Sequence, residues 1–381
     1  MRDVAIIGTG MTPVAEHWGA SLRELAGEAI KAALEDANIA AVDGLYVGNA
    51  FGSTFSSQSH LGALIADYVG LAGVEAFTVE AAGASGGAAL RAGYMAVASG
   101  LLDTVLVVGA EKSSDAIAGA KHEARAVELD ADFEAVHGAT LPAMAALLMR
   151  RYMHEYKLGL GAFEAFSVNA HANGKRNANA MFRNALREGA FTKAPMVAEP
   201  VSLFDGAPDA DGAAAVVLTA ADRARTMTET PVNIVASAAA TDTFKLQDRA
   251  DMLHLAAVAR STEKVLAQAE VTRDQVDLFE LHDSFTIVSA LTLEAAGFAP
   301  RGEGWQLAEK IGLDGELPIS TFGGLKSRGN PVGATGVYQA VEATLQLRGA
   351  AHENQVAGAK VALIQSLGGL ASTAVTHILT L

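Results

Sequence analysis

Two short turns in the sequence have the makings of an anion site. Gly83-Ala84-Ser85-Gly86 and Gly333-Ala334-Thr335-Gly336 each join glycines to a small hydroxyl residue, and each reads as a helix start. Glycine lets a ligand approach the backbone, and unpaired N–H groups at a helix N-terminus point outward, so such turns can hold an anion or a developing oxyanion. In the second half, His282-Asp283-Ser284-Phe285 follows a buried-strand run, the loop FGGLKSRGNP covers 322–331, and the tail adds Gln365-Ser366-Leu367-Gly368-Gly369. His282 titrates near neutrality and ranks first as a proton carrier; the alternative is a histidine that positions a ligand or is satisfied in the core. Tyr338, on the helix opened by GATG, ranks second, with its phenol polarised by the helix terminus; the alternative is a core tyrosine. Asp283 suits orienting a neighbour. Asn330 cannot act as a base but can donate to an oxyanion.

Other chemistries compete for the same residues. Gly83-Ala84-Ser85-Gly86-Gly87 fits G-x-S-x-G between a strand and a helix, the pattern of a hydrolase nucleophile elbow with Ser85 as nucleophile. The duplicate turn at 333–336 has no purpose in such an enzyme. Gly8-Thr9-Gly10 hints at a dinucleotide turn, but Pro13 stands where the third glycine belongs and no helix opens until Ser21, which leaves a plain turn. There is no cysteine, so disulfides, thiolate metal sites and cysteine nucleophiles are excluded. The ten histidines show no zinc spacing, and no metal is expected.

The elements that must position these groups read as α/β. Val4 to Gly8, Leu45 to Val47, Phe77 to Glu80 and Thr104 to Gly109 are strand runs. Ser21-Leu22-Arg23-Glu24 is a capping box opening an amphipathic helix, and Gly86 to Ser99 is a second helix. Strands alternating with helices predict parallel sheets covered on both faces. The order then recurs: AIKAALEDANIAAVDGLYV (29–47) parallels STEKVLAQAEVTRDQVDLFEL (261–281), and each glycine turn precedes a buried strand, LVVGAEKSS (106–114) or ALIQSLGG (362–369). This predicts two copies of one unit whose pseudo-two-fold brings both turns to one centre. Between them, roughly 113–200 holds many of the cations, and 171–189 reads as a polar helix. That stretch is either a solvated insertion or a place where an acidic protein holds an anionic ligand. With 28 Lys+Arg against 43 Asp+Glu, the net charge of −15 and the lack of a basic run argue against nucleic acid. The first residues turn straight into a strand with no signal-peptide core, and no membrane span is expected, so the chain reads as cytoplasmic.

VEAAGASGG (79–87), DGAAAVVL (211–218), ELHDSF (280–285), GGLKSRGNPVGATG (323–336) and the Gly-Gly near the end together resemble the thiolase superfamily, in the branch of archaeal and sterol-carrier-type thiolases. The resemblance covers nearly the whole chain and implies the duplicated five-layer αβαβα fold with an inserted loop domain. Residues 1–112 plus about 200–225 would form one half, 113–199 the insertion, and 230–381 the other half. It also implies an acyl-CoA substrate held by the insertion, for which Arg176 and Arg183 are the phosphate candidates and Ser85 a further contact. Coenzyme A would be part of the substrate, with no permanently bound cofactor. The implied partners are a second copy of the chain in a homodimer, and a small OB-fold/zinc-ribbon protein that would complete a heterotetramer. Where such enzymes carry a nucleophilic cysteine this chain has Gly83; where they carry a histidine before proline it has Asn330; near their second cysteine it has Ser366. Glycine cannot form a covalent acyl intermediate. What remains is an oxyanion hole, with backbone N–H at Gly83 and a second donor near Gly368, which suits a thiolase-like CoA-thioester aldolase. The expected reaction is retro-aldol cleavage of a β-hydroxyacyl-CoA by His282, Tyr338 and Asn330. The alternatives are acyltransfer by an atypical route or with a partner subunit, a non-catalytic acyl-CoA- or lipid-binding subunit, and the Ser85 hydrolase.

Overall fold

The computed structural model describes all of residues 1–381 except Glu188. Its strands are β1 (Val4–Met11), β2 (Gly44–Gly48), β3 (Glu75–Val79), β4 (Thr104–Glu111), β5 (Met196–Ala198), β6 (Val201–Ser202), β7 (Gly212–Ala220), β8 (Val232–Thr241), β9 (Leu278–Glu280), β10 (Val361–Gly368) and β11 (Thr373–Thr380). The helices are α1 (Leu22–Asp36), α2 (Gly52–Phe55), α3 (Leu61–Tyr68), α4 (Ser85–Ser99), α5 (Ala118–Ala126), α6 (Leu141–Tyr156), α7 (Glu164–Arg176), α8 (Ala221–Met227), α9 (Ala256–Ala269), α10 (Thr286–Ala295) and α11 (Thr335–Leu347).

Nine strands run β3-β2-β4-β7-β1-β8-β11-β10-β9. The order is a palindrome about the β1/β8 pair: β2, β4, β7 and β1 on one side answer β9, β10, β11 and β8 on the other. The two copies join antiparallel at Val4–Ile6 against Val232–Ile234. Contrary to the expectation of parallel sheets, the sheet is mixed. Only β2/β3, β2/β4 and β9/β10 are parallel. The second half shows the reason: β10 turns back within a few residues to pair with β11, and only an antiparallel pair can be joined by so short a link.

Burial sorts the helices into layers. Helix α1 packs its Leu22, Leu25, Ala29 and Ile30 stripe, with Ile65 of α3, against the outer face of the first half. Its start is fixed by Glu24, whose carboxylate accepts the Ser21 N–H at 2.7 Å. On the outer face of the second half, Val258 and Val265 of α9 join Ile287 and Leu291 of α10 in one core. Between the halves, Ala89 and Leu90 of α4 share a third core with Val337 and Val341 of α11. These are the five layers. The middle layer demands glycine: a Cβ on Gly86 would lie 2.9 Å from the Gly333 carbonyl oxygen and from the Val337 nitrogen. The two glycine turns therefore do meet, as the duplication predicts.

Gly8 and Gly10 are part of β1, not a turn, and their missing side chains let α1 press its Ala33 and Ala29 carbonyls against the strand. The segment 171–189 is not one helix. α7 ends at Arg176, Asn177 turns extended, and its Nδ2 donates to the Phe322 carbonyl at 2.9 Å. Met181 and Phe182 then give their N–H groups to the Arg328 and Ser327 carbonyls, at 2.9 and 3.0 Å. Those bonds to the 322–331 loop replace helical ones; Glu188 lies outside the described residues.

Candidate active site

His282 lies in the buried loop between β9 and α10. Its Cε1 and Nε2 are 3.2 Å from where a Cβ on Gly83 would stand, and the Leu367 carbonyl oxygen is 2.5 Å from the same point. A side chain at Gly83 would therefore strike the backbone of β10 before it reached any ligand. Across this junction Gly368 abuts the turn before α4, its own Cβ position 2.6 Å from the Ala81 carbonyl oxygen. Gly83, Gly368 and His282 are thus neighbours, as the sequence suggests.

The imidazole is more deeply buried than a free-standing base would be. Burial, then the charges of Arg125 and Arg328, push its pKa down to about 3, and Nδ1 has no partner among the described residues. His282 is accordingly neutral at physiological pH. Asp283 orients a neighbour: its carboxylate accepts the Leu325 N–H at 2.8 Å and pins the 324–328 turn. Asn330 accepts the Thr335 hydroxyl on Oδ1 at 2.8 Å, which directs its amide nitrogen away from α11.

The second glycine turn does hold a carboxyl group, but an internal one. The buried Glu111, at the end of β4, accepts N–H groups from Gly333 at 3.1 Å, Ala50 at 2.9 Å and the Asn49 amide at 2.9 Å. Burial raises its pKa to about 7 against these hydrogen bonds. The Gly333 N–H is spent on Glu111, so of the two turns only the one at Gly83 remains for a ligand.

Two expected participants lie elsewhere. Tyr338 is fully buried in the middle layer, and its hydroxyl donates to the Thr12 carbonyl at 2.9 Å. Burial raises its pKa, and the Arg328 guanidinium lies 5.0 Å over its ring. It is a core tyrosine, sealed off because the helix face it occupies is the one packed on β1 and β7. Ser85 is also fully buried; its hydroxyl donates to the Ala82 carbonyl at 2.7 Å and accepts the Ala81 N–H at 2.9 Å. Those bonds close the turn and leave neither a nucleophile nor a coenzyme contact. Ser366 likewise donates to Gln339 Oε1 at 2.9 Å inside the core.

A cavity of ≈ 390 Å³ opens beside this centre, walled by residues between 122 and 182, by 197–209 and by the Ser284–Phe285 turn, with Asn330 in its lining. Its walls are largely apolar, including Leu141, Pro142, Val201, Leu203, Phe204 and Phe285. Arg125 of α5 reaches the lining while paired with Glu128 at 2.7 Å and with Asp209. Lys326 donates to the Gly206 and Leu203 carbonyls at 2.7 and 3.0 Å, and burial lowers its pKa to about 8. Arg176 and Arg183 are exposed and stand outside the lining. Arg125, Lys326 and His171 of the lining all sit within segments singled out in the sequence. What hid them is that the cavity is assembled from segments far apart in the chain, so spacing does not show which polar residues face it. No cluster of metal-ligating side chains occurs among the described residues, and no helix there is long and apolar enough to cross a membrane.

Fold and junction together define an enzyme of the thiolase class. Residues 4–194 match the thiolase N-terminal domain and 238–381 the thiolase C-terminal domain-like family, and the chain belongs to the thiolase family. It is 42% identical to a protein named acetyl-CoA acetyltransferase from Methanothermobacter thermautotrophicus, across 99% of both chains. It is 30% identical to human sterol carrier protein 2, over 97% of this chain and 70% of that protein. Among solved structures, the Ltp2-ChsH2(DUF35) aldolase superposes with a TM-score of 0.87 at 25% identity, over 99% of this chain and 97% of the other.

Proposed function

We propose that this chain makes or breaks a carbon–carbon bond next to a CoA thioester without an acyl-enzyme, most simply by retro-aldol cleavage of a β-hydroxyacyl-CoA. The observation that carries the reading is Gly83, which faces His282 with no side chain and no space for one, in a chain without cysteine. Acyl transfer by the covalent route needs a nucleophile at that point. Enolate chemistry needs only donors aimed at the thioester oxygen. The neutral His282 serves as one such donor through Nε2. Backbone N–H at Gly83 or near Gly368 supplies another, and the Asn330 amide adds a polar group from the cavity side. Arg176 and Arg183, exposed on the insertion, take the CoA phosphates. The likeness to a solved structure named an aldolase supports this choice. That name also couples two components, which supports a partner subunit here; the partner proposed is a small OB-fold/zinc-ribbon protein, and self-association into a dimer is proposed with it.

Acyl transfer is the second reading, favoured by the identity to proteins named acetyl-CoA acetyltransferase. The purified chain, alone and with a small OB-fold/zinc-ribbon protein if one is encoded beside it, distinguishes the two. Given 3-hydroxy-3-phenylpropionyl-CoA, it should release benzaldehyde and acetyl-CoA. Given acetyl-CoA alone, it should form no acetoacetyl-CoA. The reverse pattern assigns acyl transfer and overturns the aldol reading.

A further inference from the structure

We infer that His171 is the catalytic base that accepts the β-hydroxyl proton, with Lys326 beside it; this rests on the aldol reading. His171 lies on α7 and lines the cavity that Asn330 and Ser284 also line. Its ring is 5% exposed, 6.2 Å from Phe182 in a stacked arrangement and 6.0 Å from Phe204 edge-on. Nδ1 is 3.0 Å from the Asn184 carbonyl, an acceptor only, so Nδ1 carries the proton and Nε2 the lone pair. Nε2 is buried with no partner among the described residues, and so is the Ser284 hydroxyl, which lines the same cavity. A buried acceptor left unmet costs free energy until a donor arrives, and a substrate hydroxyl is a donor of the required kind.

The surroundings suit that proton transfer. Burial, then the charge of Lys326, lower the pKa of His171 against the bond to Asn184, so the ring is unprotonated near pH 7 and its Nε2 lone pair is available. Lys326 has two of its three N–H groups committed to backbone carbonyls, which leaves one donor for the oxygen that becomes a carbonyl. His282 stands at the Gly83 end instead, with its pKa pushed down to about 3, where a neutral N–H donor is what the thioester oxygen needs. The step balances within the substrate. The hydroxyl proton passes to His171 Nε2, the oxygen electron pair forms the C=O, the Cα–Cβ bond breaks, and its pair becomes the thioester enolate. The α-carbon then takes a proton, leaving an aldehyde or ketone and the shorter acyl-CoA.

Two substitutions test this. His171→Phe keeps the aromatic packing and removes the acceptor; His171→Gln keeps an acceptor that takes no proton. The probes are 3-hydroxy-3-phenylpropionyl-CoA and its deoxy analogue 3-phenylpropionyl-CoA, with affinities from calorimetry and benzaldehyde release from absorbance. The wild type should bind the hydroxylated probe more tightly. His171→Phe should lose that preference, His171→Gln should keep it, and both should lose about 10²–10⁴-fold in kcat. Turnover unchanged in His171→Phe overturns the assignment, and so does a wild type that does not distinguish the probes. A wild type that distinguishes them through His171 yet releases no benzaldehyde supports the hydroxyl site while overturning the aldol reading.

Discussion

Placing a cysteine at residue 83 should damage this protein rather than convert it to acyl transfer. In Gly83→Cys the new Cβ would stand 2.5 Å from the Leu367 carbonyl oxygen and 3.2 Å from His282 Nε2. The first contact is with backbone in a paired strand, which cannot swing aside as a side-chain end could. Overpacking of this sort costs about 1–3 kcal/mol. With an unfolding entropy of about 2.1 cal/mol/K per residue, a chain of 381 residues melts with roughly 0.8 kcal/mol/K. A cost of about 2 kcal/mol therefore lowers Tm by roughly 2–3 °C. The thiol would have no activating partner: burial suppresses the basicity of His282, and Asn330 cannot take its proton. Displacing the β10 end and His282 also disturbs the donors for the thioester oxygen, at a cost of about 10²–10³-fold in turnover. Scanning calorimetry reads the first effect; acetyl-CoA labelling followed by intact-mass analysis reads the second. A variant that melts at the wild-type temperature, gains a stable acetyl group on Cys and makes acetoacetyl-CoA would refute the steric and electrostatic reasoning together.

Three further outcomes follow from the same geometry. Tyr338→Phe should leave kcat within about twofold and lose about 1 kcal/mol of stability, the worth of its bond to the Thr12 carbonyl, as read by parallel kinetics and denaturant unfolding. Glu280 is held protonated by burial, then by Glu342, with its pKa raised to about 8. A raised carboxyl pKa means the folded state keeps a proton the unfolded state has lost, so its contribution is present below about pH 4.5 and disappears as pH climbs through about 8. Glu280→Gln should therefore flatten the fall in Tm between pH 5 and pH 8.5 and melt higher than wild type at the alkaline end. Arg176→Ala combined with Arg183→Ala should weaken CoA binding and reduce its salt dependence, measured by titration at two ionic strengths.

The duplication was legible because it repeats spacing, and spacing survives in a sequence. The capping box at Ser21, the helix-to-strand runs at 29–47 and 261–281, and the paired glycine turns all map onto the palindromic sheet. The direction of the strands was not legible. Fully buried runs such as Thr104 to Glu111 look alike in parallel and antiparallel neighbours, and the return of β7 onto β4, like that of β11 onto β10, decides. At the site, Gly83, Gly368 and His282 could be read as one group because motifs carry them. The roles of Tyr338 and Ser85 could not be read, since a hydroxyl spent on a backbone carbonyl has the same letter as a free one. Glu111 was hidden for the complementary reason. A glycine turn shows that an acceptor is wanted there, but not that the protein supplies its own carboxyl group from the end of β4.

On the proposed function, carbon–carbon chemistry at this site proceeds with no covalent intermediate. Intact-protein mass spectrometry during turnover of 3-hydroxy-3-phenylpropionyl-CoA, with benzaldehyde and acetyl-CoA quantified in the same sample, tests it most directly. Equimolar benzaldehyde and acetyl-CoA should form from a protein whose mass never departs from that of the unmodified chain. An acyl adduct that appears and decays at the rate of turnover, on Ser85, Ser366 or any other side chain, would contradict it.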